Sequence, residues 1–315
     1  MAEPLLSVKS LRVDYEDITA VDDVSFEVEA GMVYGLIGPN GAGKTSIIRV
    51  IATLLQPTYG QVRLCDIDLL GDPLRALSHL GFMPDMPPLY DDLYVEEFLQ
   101  LFASAYGLFG AAQTKRIDEL LDKVQLSEKR KTPAGELSRG MKQRLFLAKT
   151  LLHDPKVLLL DEPASGLDPR ARIEMRELIK RLRQEEKTIM VSSHILPELA
   201  DICNKIGIIE RGRLIFNGSV DDAIRQVRGN ATFTVSVAAD RNAEAAVKLQ
   251  TYPEVMAVKP DPKTGQLDVK LKDGQEDGSF LPERLIRDGF RLKSFKEKEV
   301  NLENVFMEIT KGITN

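Results

Sequence analysis

The stretch Gly38-Pro39-Asn40-Gly41-Ala42-Gly43-Lys44-Thr45, followed by Ser46, decides how the chain is read. It satisfies every fixed position of the phosphate-binding pattern G-x-x-x-x-G-K-[ST]. Gly38, Gly41 and Gly43 lack a Cβ, so the backbone can turn tightly and approach an anion closely. Successive N–H groups then form an anion-binding concavity where a helix begins. Lys44 adds a positive charge for the outer phosphates, and the Thr45 hydroxyl is a hard oxygen ligand suited to Mg²⁺. The flanks agree. Residues 32–37 predict a strand, and residues 46–55 predict a helix that Pro57 and Gly60 bring to an end.

N-terminal to this loop, residues 6–13 and 24–28 alternate in the manner of strands, with a turn at Ala30-Gly31. Tyr15 is expected just past the first strand, where its ring could stack on a base or cover the sheet edge. C-terminal to the loop, residues 61–64 and 80–83 read as another pair of strands, followed by the proline-rich link 84–88. Residues 95–106 predict a helix with Phe98, Leu101, Phe102, Ala105 and Tyr106 on one face. Residues 114–126 continue helical, with Ile117, Leu120, Leu121 and Val124 on one face.

Ser138 is placed to cap a helix whose apolar stripe is Leu145, Ala148 and Leu152, ended by Asp154-Pro155. Val157-Leu158-Leu159-Leu160 is an unbroken apolar run, as in a strand buried on both faces of a parallel sheet. It ends in Asp161-Glu162. A long charged helix to about Glu186 follows, and the strand at 188–192 delivers Ser193 and His194. Strands alternating with helices predict a parallel α/β core. Ligands of such sheets gather at the carboxyl ends of the strands. Lys44, Asp161, Glu162 and His194 all follow a strand and can converge there.

In this order the motifs resemble the nucleotide-binding subunit of an ABC transporter, over roughly residues 5–220. The resemblance implies a P-loop NTPase core of the ABC ATPase type with a helical subdomain. It implies ATP and Mg²⁺ as cofactors and ATP hydrolysis as the activity. It assigns Tyr15 to the adenine, and Gly38, Pro39, Asn40, Gly41, Ala42, Gly43, Lys44, Thr45 and Ser46 to the phosphates. Thr45, Asp85 and Asp161 go to the metal, Glu162 to the attacking water, and His194 to the γ-phosphate. Ser138 and Gly140, in Leu137-Ser138-Arg139-Gly140-Met141, are expected to cap the γ-phosphate of a second subunit. Residues 165–168 form the loop at the dimer seam. One chain holds one of each motif, so the implied partners are a second copy, as a homodimer, and a separate multi-span membrane permease. The implied location is cytoplasmic, peripheral on the inner face of the membrane.

Two positions depart from the family pattern. Arg139 replaces a glycine, which bears on any positive φ there. Asp85 stands where glutamine is usual, so retuned metal contact is expected.

From about residue 230 the pattern changes. Strands at 231–237, 255–259, 266–271 and 290–295 and helices at 243–250 and 280–287 give the order β-α-β-β-α-β of a ferredoxin-like unit. A last helix is expected at 301–311. The domains are therefore expected at 1–225, with a helical subdomain about 86–150, and at 230–315. The extension is similar to that of exporter-type ATPase subunits, which implies export, with a role in regulation or dimer support.

Composition sets the remaining bounds. The chain has 315 residues, 43% of them apolar and 29% charged, ordinary for a globular protein. A net charge of −6 opposes a broad nucleic-acid footprint, so no nucleic-acid partner is expected. Two cysteines form no disulfide framework or metal spacing. No secretory signal is read at residues 1–6, and no run approaches the roughly 18 apolar residues of a spanning helix. The alternatives are a soluble ABC ATPase acting on ribosomes or DNA, and a nucleotide-gated module with weak hydrolysis. The first lacks a second cassette or coiled-coil insert here. The second is motivated by Asp85 and Arg139.

Overall fold

The computed structural model describes residues 4–86, 88–195, 199, 201–223, 231–238, 241–261, 264–272, 274–275 and 277–297. The chain divides into two compact units between Val220 and Asp221.

The first unit has two sheets. Strands β1 (Pro4–Tyr15), β2 (Ile18–Glu29), β4 (Tyr59–Leu64) and β5 (Ile67–Asp68) form an antiparallel sheet in the order β2-β1-β4-β5. Strands β3 (Val33–Ile37), β6 (Leu80–Met83), β7 (Val157–Leu160), β8 (Thr188–Ser193), β9 (Lys205–Glu210) and β10 (Arg213–Ser219) form the second, in the order β10-β9-β3-β8-β7-β6. It is parallel from β9 to β6, and β10 runs antiparallel to β9. The central strands β3, β7 and β8 are buried along their whole length, which explains the unbroken apolar run of β7.

Helix α1 (Lys44–Ile51) packs between the sheets. Ile47, Ile48, Val50 and Ile51 share one core cluster with β1, β2, β4 and Leu159 of β7. Its apolar face is buried there, while Thr45 and Arg49 stay exposed on the other. It is shorter than the 46–55 expected. Thr53 turns to a left-handed φ of 60°, and the Leu54 N–H bonds back to the Arg49 carbonyl. That closes the helix several residues before the apolar run stops.

Three helices follow β6: α3 (Val95–Ala105), α4 (Gly110–Lys123) and α5 (Arg139–Thr150), with the short helix α2 (Pro73–Leu77) before it. On α3 the buried face is Val95, Phe98, Leu99 and Ala103. Leu101 and Tyr106, expected on that face, are 49% and 44% exposed. On α4 the expected residues Ile117, Leu120 and Leu121 are buried. Helix α6 (Pro169–Gln184) is capped by Asp168, whose carboxylate accepts from the Arg170 and Ala171 N–H groups.

The strands expected as a pair at 61–64 and 80–83 lie in different sheets. The elements β5, α2, β9 and β10 were not expected.

The second unit has its own core, built on Phe233, Val235, Leu249, Val269, Leu281 and Leu285 among others. Strands β11 (Thr232–Val237), β12 (Val255–Pro260), β13 (Leu267–Leu271) and β14 (Leu292–Glu297) alternate with α7 (Asn242–Gln250) and α8 (Phe280–Arg287). The antiparallel order β12-β13-β11-β14 is that of a ferredoxin-like unit. Strand β14 starts at Leu292, and Phe290 is instead a buried core residue ahead of it. The helix expected at 301–311 lies outside the described residues.

Candidate nucleotide site

Strand order brings the chemistry together. Because β3, β8, β7 and β6 are parallel neighbours, they present their carboxyl ends along one edge of the sheet. The phosphate-binding loop leaves β3, His194 follows β8, Asp161 and Glu162 follow β7, and Asp85 follows β6. A polar cleft of about 430 Å³ opens there, within the range of nucleotide-sized sites. It is lined by Ala20, residues 40–46, Asp85, Glu162, Ser165 and His194.

The loop is walled by backbone. A side chain at Gly38 would strike the Ile209 carbonyl oxygen, and one at Gly43 would strike that of Ala20. Gly43 also has a φ of 106°, which L side chains rarely adopt. Lys44 is buried at the start of α1. Its ammonium donates to the Gly38 carbonyl at 2.7 Å and the Pro39 carbonyl at 3.2 Å, and lies 3.4 Å from Glu162 Oε1.

Glu162 has a φ of 50°, a sparsely populated conformation for a residue with a side chain. Three contacts hold it. Its N–H donates to Ser192 Oγ at 2.9 Å, Lys44 faces one carboxylate oxygen, and His194 Nδ1 lies 2.8 Å from the other. A carboxylate between a lysine and a histidine at the mouth of a polar cleft can polarise a water.

Asp161 is buried beneath the cleft floor. It accepts from Ser192 Oγ at 2.6 Å, and the Thr45 hydroxyl also reaches it. Burial pushes its carboxyl above the ordinary value, and the nearby charges of Glu162 and Asp85 add to this. The hydroxyls of Ser192 and Thr45 oppose it. A cation would relieve that penalty. Among the described residues no three acids, histidines or cysteines surround one point. The donor set is one buried carboxylate, one threonine hydroxyl and open space facing the phosphate loop. That fits Mg²⁺, which keeps waters and uses one or two carboxylates plus substrate phosphates.

The other expected residues are placed as follows. Tyr15 is the last residue of β1, not just beyond it. Its hydroxyl lies 3.3 Å from Ser46 Oγ, and its ring is partly exposed beside the end of the loop. Ser138 caps α5, accepting from the Met141 N–H at 3.3 Å. Gly140 packs tightly on α6, where an added Cβ would stand 2.8 Å from that of Ala171. Neither lines the cleft of its own chain. Arg139 is the first residue of α5 and is not among the positive-φ residues, so its side chain causes no backbone strain. Its guanidinium lies against Gly166.

Sequence reasoning missed three contributors. Ser192 joins Asp161 to the Glu162 backbone, Ala20 walls the loop, and the segment Ile209–Gly212 braces it. The only signal was the Ser192-Ser193 pair ending β8.

Comparison with known proteins identifies the family. The family model described as ABC transporter matches residues 21–165. The chain is 34% identical over 307 residues to the ABC transporter ATP-binding protein YhcH of Bacillus subtilis, covering 97% of this chain and 96% of that protein. It is 39% identical over 221 residues to the Nod factor export ATP-binding protein I of Ralstonia nicotianae, covering 70% of this chain and 69% of that protein. A solved structure of the ATP binding subunit of an ABC transporter matches with a TM-score of 0.64 and 34% identity, covering 70% of this chain and 92% of that one. With the loop, the two acids and the histidine converging as they do, the chain belongs to the ATP-binding proteins of ABC transporters and is an ATPase of that family.

Proposed function

We propose that the chain is the motor subunit of an exporter: MgATP closes two copies face to face, and closure drives a separate membrane permease. The observation that carries this reading is the convergence of Lys44, Glu162 and His194 on one cleft beside the loop of residues 38–45, with the buried Asp161 joined to Glu162 through Ser192.

Phosphoryl transfer to water needs positioning and charge neutralisation more than covalent help. The loop N–H groups and Lys44 take the β- and γ-phosphates, and Tyr15 stacks on the base. Thr45 and Asp161 would hold Mg²⁺, which would neutralise charge on the phosphates, with Asp85 close enough to act on the Asp161 carboxyl. Glu162 orients the attacking water, and His194 bonds the γ-phosphate. Ser138 and the N–H groups near Gly140 stand at the N-terminus of α5, away from their own cleft. This supports a role for them on the nucleotide of the partner copy.

A separate permease is supported by relatives named as ATP-binding proteins of ABC transporters. Export is supported by the relative named for Nod factor export and by the ferredoxin-like second unit. The second unit is assigned to regulation or dimer support.

Replacing Glu162 by Gln tests the site. General-base contributions are typically 10²–10⁴-fold, so the ATPase rate should fall about a hundredfold or more while ATP still binds. A wild-type-like rate would remove Glu162 from the chemistry. The permease is tested by co-purification from detergent-solubilised membranes of the native host. Recovery of the chain without any multi-span protein would count against the transporter reading.

A further inference from the structure

The loop of residues 38–45 contains three glycines, so it has much conformational freedom to lose before it can cradle an anion. From inside, Lys44 ties it to the Gly38 and Pro39 carbonyls, but a phosphate would compete for the same ammonium. From outside, a second set of contacts does not involve Lys44. The hairpin joining β9 to β10 turns at Arg211-Gly212, and both residues have positive φ, 49° and 79°. This is the pattern of a two-residue I′ turn.

At its tip, the Gly212 N–H donates to the Ala42 carbonyl of the loop at 3.0 Å. The Gly212 carbonyl accepts from the Asp22 N–H at 2.8 Å. The backbone of this one residue thus joins the phosphate loop to β2. Around it, the Ala20 carbonyl closes on Gly43 and the Ile209 carbonyl closes on Gly38. Arg213 adds an ion pair to Asp22, 2.7 Å from Oδ2. There is no room for a side chain at the tip. A Cβ on Gly212 would stand 2.9 Å from the Ala20 carbonyl oxygen, 3.1 Å from its carbon and 3.3 Å from Val21 Cα, all of them backbone.

We propose that Gly212 is a positioning residue for the nucleotide phosphates. It locks the β9–β10 hairpin tip, the Ala20–Asp22 segment of β2 and the Ala42 carbonyl into one collar that holds the loop in its anion-binding shape. The proposal rests on the reading that residues 38–45 bind ATP. Gly212 touches no substrate and acts through Ala42 and Ala20.

The test compares two glycine-to-alanine variants of the full chain. Gly31, in the turn between β2 and β3, has a φ of 70° and nothing within 4 Å of an added Cβ. Gly31→Ala therefore reports left-handed strain alone. Gly212→Ala adds the collision with the collar. A misplacement of about 1 Å at a phosphate cradle costs up to about a hundredfold. Gly212→Ala should therefore weaken binding of a fluorescent ATP analogue by about tenfold or more relative to Gly31→Ala. KM should rise more than kcat falls, because the loop grips phosphate in both ground and transition states. Equal analogue affinity in the two variants would overturn the proposal. Lys44→Ala is measured alongside. If it retains wild-type affinity, the reading of residues 38–45 fails instead.

Should Gly212→Ala not fold, hydrogen exchange of the wild-type chain decides. The amides of Gly212 and Asp22 should gain protection together with those of residues 40–43 when MgATP is added. Protection of the loop with no change at Gly212 and Asp22 would equally overturn the proposal.

Discussion

Glu162 shows why some of the site is legible in sequence and some is not. Two acids closing an apolar strand stand out, because nothing in a buried parallel strand calls for them. The positive φ of Glu162 and its tether to Ser192 leave no trace in the sequence, since serine is unremarkable in a strand. Lys44, Thr45 and His194 were likewise readable from motif and position. The wall formed by the Ala20 carbonyl was not, because a backbone oxygen has no residue signature. Asp85 is where the departure from the family pattern becomes testable. Its charge acts on the buried Asp161, which follows the neighbouring strand β7. Outer carboxylates of this kind typically change metal affinity by 10–100-fold. Asp85→Gln should raise the Mg²⁺ concentration for half-maximal ATPase activity by about tenfold. An unchanged Mg²⁺ titration would show that Asp85 has no part in holding the metal.

Among the elements, those with long regular patterns were read well and those set by local turns were not. Helix α5 follows its apolar stripe and its Ser138 cap, α4 buries the expected Ile117, Leu120 and Leu121 though it begins at Gly110, and α6 ends near the expected Glu186. Helix α1 was overextended because the apolar run passes through Thr53, whose left-handed turn has no glycine to announce it. The β9–β10 hairpin turns on Arg-Gly, a weaker signal than Asn-Gly. One of the side chains that tie the helical subdomain to the core is invisible to periodicity. Arg116 of α4 donates to the Leu151 carbonyl at 2.6 Å, the Leu152 carbonyl at 3.1 Å and the Asp154 carboxylate at 3.3 Å. It places a cation on the final carbonyls beyond α5. Arg116→Ala should cost about 1–3 kcal/mol, as expected for hydrogen bonds to a charged group. The measurement is the urea midpoint of the first unit, and an unchanged midpoint would show that the contact is idle.

At the scale of the molecule, the division into two units reflects two separate cores, each with its own sheet order. The change in strand spacing near residue 230 made the second unit legible. Its function was not, because among its described residues no group of acids, histidines or cysteines could hold a metal ion. Removing residues 221–315 should leave ATP binding by the first unit intact while weakening nucleotide-dependent dimerisation. Loss of neither would refute a role in regulation or dimer support. The central claim is that two copies close around MgATP, each presenting Ser138 at the N-terminus of α5 to the other's triphosphate. Its most direct test is the molar mass of the Glu162→Gln chain by light scattering at saturating MgATP, with and without its permease. The account predicts a nucleotide-dependent dimer that is lost when Ser138→Arg is added. A monomer under every condition would contradict it.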